Sequence, residues 1–321
     1  MDNIDDLMAD AIQLIGKSDN ILIASHVQPD GDSIGSALAL AIALTKIKDG
    51  IRVLKVDDIP ADYKFLPGIE LIGEWQNGEL DLFIALDCAD IDRLGPGKAL
   101  ALRARHLINI DHHITNDNFG DINIIAESAA TGELVYDLIK RMEIGFDTDI
   151  ATCLYTAIST DTGRFMYSNT SHKTHLIASE LLKMGIDINS INTNLYQNRS
   201  IERTNLFLDS LSGLEMFADG EVAVTAITQD MLDINNAKLE DTEGIISFIR
   251  GIDTVEVACL LKEIARGETK VSMRSKMRID VSRICNKFGG GGHLRAAGCT
   301  IYDDIDHAKK LILDEIKTIF R

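Results

Sequence analysis

Residues 25–35 read Ser-His-Val-Gln-Pro-Asp-Gly-Asp-Ser-Ile-Gly, which places one imidazole, His26, and two carboxylates, Asp30 and Asp32, within seven positions. A proline and two glycines bend the backbone there, so the three groups can converge on one point instead of fanning out along a strand. Convergent nitrogen and oxygen donors suggest a divalent metal. Taken alone, the segment could equally be an ordinary turn in which Asp side chains bond their own backbone. Three further places weigh against that. The apolar run 82–86 ends on Asp87, the run 106–110 ends on Asp111, His112 and His113, and a helical stretch over 150–160 delivers Asp161.

Such groups meet only in an architecture that gathers element ends. The first half alternates strand and helix signals, with strands at 21–25, 51–56, 82–86 and 107–110. A helix runs from Ser33, which can cap it, to about residue 48, and Gly50 can end it. Alternation of this kind implies parallel strands joined by right-handed crossovers, and open parallel sheets bind ligands at their carboxyl edge. Three of the four clusters would share that edge. Helices over about 130–142, 150–160 and 172–184 complete a first domain, 1–185. The chain then turns polar and Asn-rich, which marks a linker over 186–200 before a second domain, 201–321.

In the second half, strands are expected at 221–227, 255–261 and 270–274, the last two flanking a turn at 266–269. A hairpin there is antiparallel, so this sheet is mixed, with helices at about 241–250, 280–287 and 304–320. The expected fold is α/β: an N-terminal, mostly parallel sheet with flanking helices, and a smaller C-terminal mixed-sheet α/β domain. Four consecutive glycines, 289–292, stand before His293. Lacking Cβ atoms, they can expose backbone N–H groups to a phosphate, although a flexible turn has the same composition. Arg274 on the neighbouring hairpin adds a cation of the kind a phosphate or nucleotide handle needs.

Composition narrows the partners. A chain of 321 residues, 45% of them hydrophobic, can build two cores. A net charge of −18 and only 5% aromatic residues argue against gripping long nucleic acid through a basic surface or a stacking platform. An acidic protein still acts on an anion where bound cations and a few arginines reverse the local potential. The five cysteines form no Cys-x-x-Cys pair and fit reduced thiols. Neither a leader-like start nor an apolar run of transmembrane length is visible, so a cytoplasmic protein without membrane association is expected.

The ordered set His26-x-x-x-Asp30-x-Asp32, Asp87, Asp111-His112-His113 and Asp161 resembles the DHH phosphoesterase superfamily. The later Ser272-Met273-Arg274-Ser275 and the glycine run with His293 resemble the DHHA1 domain that follows it in one branch, and the likeness spans roughly residues 20–300. Within the superfamily, a compact chain of this length looks like the nanoRNase and phosphoadenosine-phosphate phosphatase group. The resemblance implies two Mn2+ ions, with Mg2+ or Co2+ as substitutes: His26, Asp30 and Asp87 around one, Asp32, Asp87, His112 and Asp161 around the other. Mixed carboxylate and imidazole donors suit that metal better than thiolate-loving ones. It further implies that His113 faces the substrate phosphate and acts catalytically with Asp87. Asp111 would orient an imidazole, while Arg274, Ser275, Gly290, Gly291, Gly292 and His293 would hold the nucleotide.

The expected reaction is hydrolysis of short oligonucleotides to nucleoside monophosphates, removal of the 3′-phosphate from an adenosine bisphosphate, or both. A cyclic- or linear-dinucleotide phosphodiesterase uses the same metals and is the nearest rival. An inorganic pyrophosphatase is disfavoured by the glycine loop, since pyrophosphate offers no base or sugar to recognise. A nucleotide-binding sensor is disfavoured by the complete ligand set, and a processive exonuclease by the acidic surface. Oligomeric state, a homodimer included, is left open by the sequence.

Overall fold

The computed structural model describes residues 3–76 and 78–319, in two compact units, Met1–Asn198 and Arg199–Arg321. In the first unit, strands β1 (Ile21–Ala24), β2 (Ile51–Leu54), β3 (Ile72–Gly73), β4 (Leu82–Leu86), β5 (His106–Asp111) and β6 (Ile122–Ile125) form one sheet of order β3-β2-β1-β4-β5-β6. Every neighbouring pair in it is parallel. Helices α1 (Ile4–Lys17), α2 (Gly31–Thr45), α3 (Lys98–Ala101), α4 (Thr131–Arg141), α5 (Thr148–Asp161), α6 (His172–Lys183) and α7 (Ile188–Tyr196) complete the unit. Helix α7 occupies most of the segment read as a linker.

Strands β1 and β4 are apolar throughout because both sheet faces are covered, as in other parallel sheets. Ile21, Ile23, Ile84 and Leu86 pack with α2, α4 and α5 on one face, while Leu22, Ala24, Phe83 and Ala85 pack against Leu94 and Ala101 on the other. Helix α2 is buried nearly all round, which its Ala-rich sequence permits, since small side chains let neighbouring helices approach. Its N-cap is Asp30, whose carboxylate accepts from the Ser33 amide while the Ser33 hydroxyl accepts from the Asp30 amide. Ser33, expected as the cap, is thus the returning partner of a capping box. The helix ends at Thr45, five residues before Gly50, which instead lies in the turn into β2.

In the second unit, β7 (Glu215–Phe217), β8 (Val222–Ile227), β9 (Val257–Ala265), β10 (Glu268–Ser275), β11 (Gly291–His293) and β12 (Ala296–Ile301) form a sheet of order β11-β12-β10-β9-β8-β7. Only β8 and β9 run parallel among these pairs, so the sheet is mixed. Helices α8 (Ile201–Ser212), α9 (Gln229–Ile234) and α10 (Ile245–Arg250) pack on one face, α11 (Val281–Asn286) and α12 (Ile305–Ile319) on the other. The helix expected over 304–320 is α12, and position 320 lies outside the described residues. Among the described residues no helix is long and apolar enough to cross a membrane.

Candidate metal centre

The strand order reverses between β1 and β4, and at such a point the crossovers leave in opposite directions and open a crevice at the carboxyl edge. His26 follows β1, Asp87 follows β4, and Asp111, His112 and His113 come at the end of β5. Asp161 arrives separately as the last residue of α5. Gly31 and Gly35 set how closely α5 approaches. A Cβ on Gly31 would lie 2.4 Å from the Thr160 hydroxyl, and one on Gly35 would lie 2.5 Å from the Cys153 carbonyl oxygen.

The donors face one another at separations too long for hydrogen bonds and too short for indifference. His26 Nε2 is 3.5 Å from Asp87 Oδ2 and 3.8 Å from Asp30 Oδ2. His112 Nε2 is 3.6 Å from Asp87 Oδ1, 3.6 Å from Asp161 Oδ2 and 4.0 Å from Asp32 Oδ2. Ligands about 2.1 Å from a common ion stand roughly 3–3.5 Å apart, so a modest contraction around a cation closes both sets. Asp87 turns one oxygen to each set. It also sits at φ 55°, a left-handed conformation uncommon for a non-glycine residue and characteristic of strained functional positions.

Local hydrogen bonds prepare the imidazoles. His26 Nδ1 is 2.8 Å from the Val27 carbonyl oxygen and His112 Nδ1 is 3.2 Å from that of Ser128. Donation from Nδ1 leaves each Nε2 with a lone pair toward the carboxylates, the tautomer a metal requires. Asp32 is held by two amides at the start of α4, Thr131 at 2.7 Å and Gly132 at 2.9 Å, and by the Ser36 hydroxyl at 3.0 Å. The Thr131 hydroxyl donates to Asp87 Oδ1 at 3.1 Å.

Asp111, fully buried, is spent differently. Its Oδ1 accepts from the His112 amide and lies 2.6 Å from His113 Nδ1, and its Oδ2 accepts from Asn116 Nδ2. With both oxygens engaged it orients His113, whose Nε2 is left for another partner. That hydrogen bond raises the His113 pKa above the ordinary value, against the effect of burial.

The charges of the site are unbalanced without a cation. Burial, then the charges of Asp87 and Asp161, pushes Asp32 well above the usual carboxylate range. Burial pushes Asp161 up to about 6, with Asp87 adding to the rise and His112 opposing it. Burial acts the same way on Asp87, yet the facing His26 and the nearby His112 and His113 hold it below its ordinary value. For His26, burial favours the neutral ring, but Asp87 and Asp30 raise its pKa on balance. Among the described residues no Lys or Arg forms an ion pair with Asp30, Asp32, Asp87 or Asp161. Four carboxylates sharing this space, three of them largely buried, fit divalent cations.

Thr131, Gly132 and Asn116 escaped the sequence reading. Cys88 beside Asp87 is buried and donates to the Asp90 carbonyl, and burial pushes its pKa up to about 12. The Arg164 guanidinium lies 4.0 Å from the centre of the Tyr196 ring. All five cysteines are free and buried.

In the second unit the register aligns Ala258, Arg274, Ala296 and His293 in one row across four strands, so Arg274 and His293 share a sheet face. Ser275 does not share it. Successive strand residues alternate, and Ser275 is buried on the other side with its hydroxyl donating to the Ile279 carbonyl oxygen at 2.6 Å. The glycine run is likewise more structural than its composition implied. A Cβ on Gly290 would lie 2.1 Å from the Gly298 carbonyl oxygen and one on Gly292 would lie 2.5 Å from that of Ala296. The Gly289 and Gly290 amides already donate to Asn286 and Cys285 carbonyl oxygens, which leaves them unavailable as a phosphate cradle.

A Rossmann-like sheet with a carboxylate and imidazole cluster at its switch point, followed by a mixed-sheet unit, defines an α/β protein with a candidate metal centre. Comparison with known proteins is more specific. The DHH family N-terminal domain matches residues 20–158 and the DHHA1 domain matches residues 220–321. The chain therefore belongs to the DHH/DHHA1 family, and it is a phosphoesterase. The Thermus thermophilus protein named bifunctional oligoribonuclease and PAP phosphatase NrnA is 33% identical over 300 residues, covering 92% of this chain and 89% of the relative. The Bacillus subtilis protein of the same name is 26% identical over 313 residues, covering 96% and 97%. The crystal structure of an exopolyphosphatase-related protein from Bacteroides fragilis has a TM-score of 0.91 and 30% identity, covering 98% of this chain and 97% of that one.

Proposed function

We propose that this phosphoesterase hydrolyses short oligonucleotides to nucleoside monophosphates and 3′-phosphoadenosine 5′-phosphate to AMP, using two Mn2+ ions. The observation that carries the reading is Asp87, whose two oxygens face two separate donor sets. His26, Asp30 and Asp87 would hold one ion, and Asp32, Asp87, His112 and Asp161 the other. When bound, such a pair supplies a water of lowered pKa and offsets charge on the phosphate oxygens. The names of the relatives support the choice of substrates.

Both reactions are one bond change. Water adds to phosphorus, the P–O3′ bond breaks, and the 3′-oxygen leaves with a proton. An internal phosphate then remains as the 5′-phosphate of the next nucleotide, whereas a terminal 3′-phosphate leaves as inorganic phosphate. One site therefore serves both substrates. His113, held at Nδ1 by Asp111, has its Nε2 left to contact a phosphate oxygen or the leaving 3′-oxygen, as a donor when the ring is protonated. Arg274 and His293, with Gly291 between β12 and the solvent edge, hold the nucleotide; Gly290 and Gly292 keep that edge close to β12, and Ser275 orders the turn beneath.

The test is a timed product assay with Mn2+ on a dinucleotide, a pentanucleotide, 3′-phosphoadenosine 5′-phosphate, a cyclic dinucleotide and pyrophosphate. Nucleoside monophosphates from the first two and AMP from the third are expected. Preferential opening of the cyclic dinucleotide would overturn the choice of substrates.

A further inference from the structure

Asp161 stands apart from the other donors because it comes from the end of a helix and not from the sheet edge. Something outside the sheet has to fix where α5 ends, and the last carbonyls of a helix have no partner within it. Beyond α5 the chain turns back on itself. Gly163, Arg164 and Phe165 are all left-handed, at φ 55°, 63° and 63°. Two of the three are not glycine, and left-handed non-glycine backbone gathers at functional positions. The Thr162 carbonyl closes the turn by accepting from the Met166 and Tyr167 amides, both at 3.0 Å.

The turn returns Asn169 to the end of α5. Its Nδ2 donates to the Asp161 carbonyl oxygen at 3.1 Å and to the Ala129 carbonyl oxygen at 2.9 Å. A carboxamide nitrogen carries two N–H groups, so both bonds form at once. Ala129 belongs to the segment that supports other ligands: the Ser128 carbonyl faces His112 Nδ1, and the Thr131 and Gly132 amides hold Asp32. That segment is itself fixed from α4, where the buried Glu133 accepts at Oε2 from the Ser128 hydroxyl at 2.5 Å and has the Ala129 amide at 3.4 Å. Asn169 is exposed, so core packing is not what it supplies. Its amide ties the helix that carries Asp161 to the segment that holds Asp32 and His112.

We propose, on the reading that the centre holds two ions, that Asn169 is a positioning residue: it fixes Asp161 against His112 and Asp32 and so sets the affinity of the ion those three share with Asp87. His26 and Asp30 lie on the other side of Asp87. Among the described residues neither is hydrogen-bonded to Asn169 or to residues 128–132, so the effect is confined to one ion.

The experiment titrates Mn2+ by calorimetry into metal-free wild type, Asn169→Ala and Asn169→Leu, with His26→Ala as the reference that weakens the other ion. Leu matches Asn in size but has no N–H, so it separates the two bonds from packing. The wild type should bind in two steps. In both Asn169 variants the step that His26→Ala leaves intact should weaken about 10- to 100-fold, the usual loss when a supporting bond goes, and the other step should hold. Melting of the metal-free variants should change little, since one exposed hydrogen bond contributes little net stability. Unchanged affinity in both steps, or equal weakening of both with a lower melting temperature, would overturn the inference while leaving the two-ion centre in place. Fewer than two ions on the wild type would overturn the two-ion reading and the inference with it.

Discussion

Gly35→Ala tests whether the approach of α5 to α2 sets the metal centre. The new Cβ would stand 2.5 Å from the Cys153 carbonyl oxygen and 3.1 Å from the Ala157 Cβ, both on α5. A backbone oxygen cannot rotate away, so the helices must part by about 1 Å to regain ordinary van der Waals contact. Ala gains about 0.5–1 kcal/mol over Gly in a helix interior, whereas overpacking a core typically costs about 1–3 kcal/mol. Because the clash is with backbone, the cost should fall in the upper part of that range and leave a net loss of about 1–2 kcal/mol. For a domain of this size that is a fall in Tm of roughly 2–8 °C. Helix α2 carries Asp32 and α5 carries Asp161, both facing His112, and a 1 Å misplacement can cost on the order of 100-fold in rate. Calorimetry, Mn2+ titration and kcat are measured together, with Gly16→Ala in α1 as control, since nothing lies within 4 Å of its added Cβ. The control should be neutral or slightly stabilising. A Gly35→Ala protein with raised Tm and unchanged Mn2+ affinity would refute the role given to this contact.

Asp87→Ala should lower the number of Mn2+ ions bound and bring turnover to background, whereas His26→Ala should keep part of its activity in excess Mn2+; metal counting on purified protein separates the two, and a fully loaded, active Asp87→Ala would end the bridging assignment. Thr131→Val removes the hydroxyl that donates to Asp87 and should weaken Mn2+ binding about 10- to 100-fold, as loss of such supporting bonds commonly does. Wild-type affinity by calorimetric titration would show the hydroxyl to be dispensable. Burial would raise the Glu256 pKa, yet the amides of Arg278, Ile279 and Met277 hold it below its ordinary 4.5. A depressed carboxylate contributes stability above that unfolded value and loses it as pH falls through the lower folded value. Thermal unfolding should therefore show Glu256→Gln less stable than wild type at pH 7, with the difference narrowing below pH 4.5; a constant difference down to pH 2 would contradict the shift.

The convergence of the candidate metal-site residues was legible because they sit where two strong signals meet. Runs such as 21–24 and 82–86 are apolar enough to be buried parallel strands, and the polar residues that end them have to emerge at one edge. The groups that hold the ligands were not legible, because Thr131 and Gly132 act through backbone amides, which every residue but proline possesses. Asn116 works through a side chain, but its partner Asp111 is close only because β5 and the following loop fold back. Short or edge strands were missed for the same reason. Strand β3 has two residues, and β11 is Gly-Gly-His, with no strand propensity of its own; it exists because β12 offers an edge.

Topology explains why Asp87 stands between the two donor sets. In the order β3-β2-β1-β4-β5-β6 only β1 and β4 are neighbours whose chains continue toward opposite ends of the sheet. A group leaving β4 at that reversal faces His26 from β1 on one side and His112 from β5 on the other, so it is the natural place for a carboxylate that two sites divide. The left-handed backbone at Asp87 marks the cost of that position, on the order of 1–3 kcal/mol. A glycine there would relieve the strain but remove the oxygens, and an Asn would keep the backbone tolerance but offer one oxygen where two are needed. In the proposed two-ion site both oxygens are used, which gives the strained backbone a reason to persist.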